Sequence, residues 1–231
     1  MNVLFVCSGN TCRSPLAVAA WRALRLAQND RAGRAENKAQ DATIDEFALG
    51  AWSPADAASL EESVSPAGAA MRLASAWLLE RDANSAGLAA QKGAPAARNA
   101  LASARDWEQD LSTHRAHRLS RDLARHAPLI CTMTVEQSLA VCAHFGASVK
   151  RVRPLGEFAA WCDDAQSGAR ALEEERLAAL IGHAPRPLDH NADIVDPYGG
   201  SLEAYRCCAA QIHRAVAGLR IALRRGEAHL R

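Results

Sequence analysis

The stretch from Asn2 to Ala27 constrains the fold more than any other part of the chain. Asn2-Val3-Leu4-Phe5-Val6 reads as a short strand buried on both faces, of the kind found inside a parallel sheet. It runs directly into a tight polar loop, Cys7-Ser8-Gly9-Asn10-Thr11-Cys12-Arg13-Ser14-Pro15. Ser14 has the chemistry of an N-cap, and Pro15 that of a first helical residue. Leu16, Ala20, Ala23, Leu24 and Ala27 then share one helical face. The opening is therefore strand, polar loop, helix N-terminus.

The same alternation continues downstream. A second strand leads into Asn84-Ser85-Ala86-Gly87-Leu88, with a helix from Pro95 to about Arg105. Leu129 to Met133 reads as a third buried strand, Val135 to about Phe145 as a helix, and Val149 to Leu155 as a fourth strand. Leu202, Tyr205, Ala209, Ile212, Val216, Leu219 and Leu223 step by three and four, which predicts a helix that Gly226 closes. Strands alternating with helices imply an α/β fold, a parallel sheet with helices on both faces. Sites in such sheets gather at the carboxyl ends of the strands, which places the Cys7 loop there.

Two acidic stretches, at about 29–75 and 163–193, interrupt this pattern and read as insertions in a single domain spanning 1–231. The first carries turn signals at Ser53-Pro54 and Ser65-Pro66, and the second one helix around Ala169 to Ile181. Residues 29–65 hold eight acidic and three basic side chains, and residues 163–193 hold seven and three. With a net charge of +1 overall, subtracting −5 and −4 leaves the rest of the chain at +10. A basic remainder suits an anionic substrate. The overall balance points to neither nucleic acid nor a membrane surface, and no apolar stretch approaches the ~20 residues needed to span a bilayer.

Cysteines stand at 7, 12, 131, 142, 162, 207 and 208, an odd set without framework spacing. Together with the absence of a basic n-region and a long apolar run at the N-terminus, this predicts a cytoplasmic protein whose thiols stay reduced.

Cysteine, five residues, arginine is by itself a weak signal, since Cys208 and Arg214 repeat it inside the last helix. Context separates the two. After a buried strand and before a helix start, such a loop turns the backbone N–H groups of Ser8, Gly9, Asn10, Thr11, Cys12, Arg13 and Ser14 around an anion. Gly9 offers freedom of backbone angle and close approach, and Asn10 can brace the loop. Arg13 presents a planar fork for two phosphate oxygens. Such a field favours a thiolate at Cys7, because helix N-termini and nearby cations lower a cysteine pKa from ~8.5 toward ~3.5–7.5. The Ser14 hydroxyl is placed to donate to that sulfur.

Cys-Ser-Gly-Asn-Thr-Cys-Arg-Ser-Pro closely resembles the signature loop of the low-molecular-weight protein tyrosine phosphatases. Ser85-Ala86-Gly87, Asp110-Leu111-Ser112 with His114-Arg115, Thr132-Met133-Thr134 and Asp196-Pro197-Tyr198-Gly199-Gly200-Ser201 are similar to further family segments and follow in family order. The resemblance implies a four-stranded parallel sheet and a two-step mechanism on phosphorylated protein, with no metal or cofactor. Cys7 is then the nucleophile, Arg13 the phosphate clamp, Asp196 the acid and base, and Tyr198 a wall of the entrance. It also implies that Cys12 can pair reversibly with the nucleophile and shield it from over-oxidation.

Thr11 bears on the substrate. Tyrosine-directed members commonly carry isoleucine there, whereas threonine before Cys-Arg-Ser resembles the bacterial protein-arginine phosphatase branch. Tyrosine phosphatase activity is the expectation and arginine phosphatase activity the alternative. Thiol-coupled arsenate reduction would need Cys131 and Cys142 as relay, yet Thr134 stands where a reductase cysteine is expected. A non-catalytic phosphate-binding module would have lost Cys7, Arg13 or Asp196, and all are present. Cys207, Cys208 and His213 share a helix, but their spacing leaves one cysteine off the common face. The basic stretch with Arg115, Arg118 and Arg121 reads as a solvated loop or as a rim that steers phosphoproteins.

Overall fold

The structure, a computed structural model, describes residues 3–41, 82–159 and 190–228. Strands β1 (Leu4–Cys7), β2 (Asn84–Gly87), β3 (Ile130–Thr132) and β4 (Val152–Pro154) form one parallel sheet in the order β2-β1-β3-β4. The register sets Cys7 beside Gly87 on one side and Val6 beside Thr132 on the other. Five α-helices follow among the described residues: α1 (Arg13–Asp41), α2 (Arg98–Arg105), α3 (Arg121–His126), α4 (Val135–Phe145) and α5 (Leu202–Ala228).

β1 is apolar throughout because both its faces are covered. Val3 and Phe5 pack with Leu16, Trp21, Leu155, Ile212, Val216 and Leu219, so α1 and α5 lie on that face. Leu4 and Val6 pack with Leu119, Ala124, Ile130, Val141 and Val152, which puts α3 and α4 on the other. Phe5 meets Trp21 edge-on, with centroids 6.2 Å apart. Burying side chains of this size contributes about 1.5–3 kcal/mol each, so the strand that ends in Cys7 is firmly held.

Several boundaries differ from the sequence expectation. Helix α1 begins at Arg13, so Ser14 is not its N-cap and Pro15 is not its first residue. The Ser14 hydroxyl is used for contacts with Cys7 and Asn10. The helix then continues to Asp41, so the first part of the 29–75 stretch is helical backbone; 42–75 lies outside the described residues. Helix α2 starts at Arg98 instead of Pro95, because Ala97 is held extended and its N–H reaches Thr11 O at 2.8 Å. The fourth strand is shorter than Val149 to Leu155, being flanked by 3-10 turns at Val149–Arg151 and Leu155–Ala159. Helix α5 passes through Gly226 to Ala228. A glycine inside a helix costs only about 1 kcal/mol and need not stop it. The helix expected at Ala169 to Ile181 lies outside the described residues.

Candidate active site

Cys7 ends β1 and is buried, and two polar groups meet at its sulfur. The Asn10 N–H lies 3.2 Å from Sγ and the Ser14 hydroxyl 3.0 Å. Asn10 carries the turn. It is fully buried and adopts φ +54°, a left-handed conformation that asparagine tolerates better than most residues. Its Nδ2 donates to Ser14 Oγ and Ser85 Oγ, each at 2.9 Å, and its Oδ1 accepts from His117 N–H at 2.9 Å. The Asn10 carbonyl accepts from His114 Nε2–H at 2.7 Å, which fixes the ring tautomer. Burial lowers the pKa of His114 against that hydrogen bond, with His117, Arg115 and Arg22 adding to the lowering.

The glycine the loop requires is not Gly9. A Cβ on Gly9 would meet only Thr11 Oγ1, at 3.5 Å, an ordinary contact. On Gly87, beside Cys7 in the sheet, a Cβ would lie 2.7 Å from Ser8 O and 2.9 Å from Asn10 N. Close approach is therefore demanded of β2, and the unusual backbone angle falls on Asn10. Ser8, exposed at the turn, accepts from Gln137 Nε2 at 3.1 Å, while Gln137 Oε1 accepts from Met133 N–H at 3.0 Å. That chain of bonds ties the loop to the β3–α4 junction.

Arg13 is buried at 4 % exposure although charged. Its Nη1 donates to Ile194 O at 2.9 Å, and its Nη2 is paired with Asp196 Oδ2. Arg13 Nε has no hydrogen-bond partner among the described residues. Asp196 Oδ1 accepts from Tyr198 N–H at 3.2 Å, and the Tyr198 ring stands in solvent at 77 % exposure. Asp196 is thus brought onto the guanidinium of Arg13 from 183 residues away.

Cys12 faces the C-terminal helix. Its Sγ lies 3.2 Å from Tyr205 Oη and 3.6 Å from Thr11 Oγ1. Burial raises its pKa, against those two hydrogen bonds. Ser85, Gly87, His114, His117, Gln137 and Tyr205 were not among the sequence-derived site residues. Only Ser85-Ala86-Gly87 and the histidine stretch gave a local signal, as motifs in the right order.

A family model described as low molecular weight phosphotyrosine protein phosphatase matches residues 67–167. Over those residues the chain is similar to the low molecular weight phosphotyrosine protein phosphatases. The matched span contains neither the Cys7 loop nor Asp196, and the fold brings both to it. Solved structures of similar fold include the YwlE arginine phosphatase from Geobacillus stearothermophilus, at 20% identity and TM-score 0.57, covering 100% of this chain and 97% of that one. The low molecular weight protein tyrosine phosphatase from T. tengcongensis is 22% identical with TM-score 0.54, covering 95% and 97%. One from Bacillus subtilis is 20% identical with TM-score 0.56, covering 97% and 98%. No curated protein matches the chain in sequence.

The rival chemistries find little support in this fold. Cys131 is fully buried in β3, and burial raises its pKa. Thr134, the reductase cysteine position, caps α4 by accepting from Gln137 N–H at 3.2 Å. Cys207 is exposed while Cys208 is buried, its pKa pushed up to about 12 chiefly by burial. His213 packs its ring against Trp107 at 5.3 Å. Among the described residues no three histidine, cysteine or acidic side chains cluster as a metal site, and no helix is long and apolar enough to cross a membrane.

Proposed function

We propose that this chain removes phosphate from protein side chains, with protein-tyrosine-phosphatase-type activity and Cys7 as nucleophile. The convergence of Asn10 N–H and Ser14 O–H on Cys7 Sγ is the observation that supports the reading best. Both groups aim at the sulfur that would attack phosphorus.

Cys7 Sγ forms a bond to phosphorus as the bond from phosphorus to the leaving oxygen breaks, and Asp196 gives that oxygen its proton. In the second step the Asp196 carboxylate takes a proton from water, whose oxygen attacks phosphorus. The S–P bond then breaks, restoring Cys7 and releasing inorganic phosphate. Arg13 and the amides of Ser8 to Ser14 hold the equatorial oxygens, which carry the spread charge of the transition state. Tyr198, exposed beside the acid, walls the entrance.

Phosphoarginine is the second substrate reading, favoured by Thr11, half-buried on the loop with its hydroxyl turned to Cys12. Cys12 serves as reversible partner of Cys7 under oxidation, and a Cys7–Cys12 bond absent after mild peroxide would remove that role. The chain acts as one domain in the cytoplasm, on phosphorylated protein, without nucleic acid or membrane. Phosphate release from matched phosphotyrosine and phosphoarginine peptides, with Cys7→Ser as blank, tests the whole reading. Cys7-dependent turnover supports it, and the ratio of rates assigns the substrate. No turnover of either peptide refutes it.

A further inference from the structure

Two segments bracket the Cys7 loop on one side. Residues 88–97 are bonded to it through Leu88 N–H to Cys7 O at 2.9 Å, Ala89 N–H to Ser8 O at 2.9 Å and Ala97 N–H to Thr11 O at 2.8 Å. Residues 114–118 are bonded to it through His114 and His117, both on Asn10. The segments also hold each other. Gly93 N–H reaches Ala116 O at 2.7 Å, Ala116 N–H reaches Ala94 O at 2.8 Å, and Arg118 Nε–H reaches Leu88 O at 3.2 Å.

This edge is rich in cations, with acidic side chains confined to Asp106, Glu108 and Asp110 between its two stretches, where Arg105 acts on Asp110. Residues 88–105 and 111–121 contain no aspartate or glutamate, yet they carry Lys92, Arg98, Arg105, Arg115, Arg118 and Arg121. All six side chains are exposed. Ion pairs among the described residues join Arg13 to Asp196, Arg22 to Asp82 and Arg206 to Asp106, and none of the six takes part. The acid loop has the reverse character: residues 193–201 hold Asp193 and Asp196 and no cation.

We propose that this edge reads the polypeptide around the phosphorylated side chain, and that the chain prefers phosphorylated residues set in acidic sequence. The proposal rests on the phosphatase reading above. Lys92, Arg115 and Arg118 sit on, and Arg98 directly follows, backbone hydrogen-bonded to the catalytic loop, so an acidic flank can meet them while phosphate occupies the loop. Such a field accelerates encounter and disfavours basic flanks, and salt weakens both effects. A small aryl phosphate has no flank and does not sense it.

The experiment compares kcat/KM for phosphopeptides with acidic, neutral and basic flanks, and for p-nitrophenyl phosphate, in the parent and in Lys92→Gln/Arg98→Gln. In the parent, acidic flanks should raise kcat/KM by about 3–10-fold over neutral ones at low salt, and the advantage should shrink as salt rises. In the double variant the advantage should fall by at least half while p-nitrophenyl phosphate turnover stays unchanged. Equal rates on all peptides, with Cys7-dependent aryl phosphate turnover intact, overturn the edge and leave the phosphatase reading standing. A preference that the variant retains also overturns it. So does a general rise in peptide turnover in the variant, which would mean that these cations hinder peptide binding. Absence of turnover on every substrate, aryl phosphate included, removes the phosphatase reading and this proposal with it.

Discussion

Replacing Asn10 with alanine tests whether one buried side chain organises the catalytic loop. The substitution removes the bonds from Nδ2 to Ser14 Oγ and Ser85 Oγ, and strands the His117 N–H that donates to Oδ1, all at 2.9 Å. Each bond contributes about 1 kcal/mol net, so the three together contribute about 3 kcal/mol. Alanine must also adopt the left-handed backbone at φ +54°, which adds about 1 kcal/mol. The sum of about 4 kcal/mol is large against the roughly 5–15 kcal/mol that holds an ordinary domain. With a urea slope of about 2 kcal/mol per molar, the unfolding midpoint should fall by about 2 M. Activity should suffer beyond stability, since Ser14 loses its brace and the amide aimed at Cys7 loses its turn. A misplacement near 1 Å is enough for a loss of about 100-fold in kcat/KM. Asn10→Asp separates the effects: it keeps the turn and the acceptor for His117, but sets a negative charge beside the nucleophile. It should recover much of the midpoint and little of the activity. A midpoint shift below about 0.5 M for Asn10→Ala, with kcat/KM near the parent value, would refute the reasoning.

Gly87→Ala drives a Cβ to 2.7 Å from Ser8 O and 2.9 Å from Asn10 N, which should cost about 1–3 kcal/mol in chemical denaturation and lower kcat. Gly9→Ala, which meets only Thr11 Oγ1 at 3.5 Å, should stay within about 0.5 kcal/mol, and equal losses at the two sites would contradict the assignment. Asp196→Asn should lower kcat by about 10²–10⁴-fold on substrates with poor leaving groups. The same variant should bind inorganic phosphate about 2–5-fold tighter, because a half-exposed ion pair on Arg13 no longer competes; an unchanged inhibition constant speaks against that competition. His114 has its pKa lowered in the fold from 6.5, so the unfolded chain binds the proton more readily. Its contribution to stability is complete above pH 6.5 and is lost as pH falls through that value toward the folded pKa. His114→Gln should therefore flatten the decline of unfolding free energy below about pH 6.5, measured by urea titration.

The strand and loop at the start of the chain were legible because an unbroken apolar run and a polar loop carry their own signals. Helix α4 was legible end to end for the same reason: Thr134 caps it, and Gly146 closes it at φ +68°. Other features were not local. Ser14 looks like a helix cap, but its hydroxyl faces the sulfur seven residues earlier. Gly9 looks like the residue that permits the turn, yet Asn10 takes the positive φ because Ser85 and His117 hold its side chain. Tyr205 reaches Cys12 across 193 residues and Gln137 reaches Ser8 across 129. No periodicity or spacing encodes contacts of that range. They follow only once the sheet order sets β2 and β3 on either side of β1.

The state of Arg13 connects binding to proton donation. Ile194 O holds Nη1, and Ile194 is itself fastened, its N–H donating to Met133 O at 2.8 Å. Nearby, Val135 N–H donates to Asp193 Oδ1 at 2.7 Å, and Asn99 Nδ2 donates to Gly200 O at 3.2 Å. The acid loop is thus anchored at both ends, while Val195 and Tyr198 between the anchors stand 70 % and 77 % exposed. Asp196 can leave the guanidinium without releasing the bond that orients it. What it leaves is Nη2, which with the unpartnered Nε makes a two-donor fork matched to two phosphate oxygens. Under the proposed function, a phosphate dianion offers that fork more charge than a carboxylate and should displace it. In the proposed mechanism the displaced Asp196, half-exposed, takes up a proton from solvent while it stays tethered beside the loop, and gives that proton to the leaving oxygen. On that reading, substrate binding and placement of Asp196 are one exchange of anions on Arg13: the same side chain masks the guanidinium at rest and, once protonated, serves as the acid after phosphate arrives.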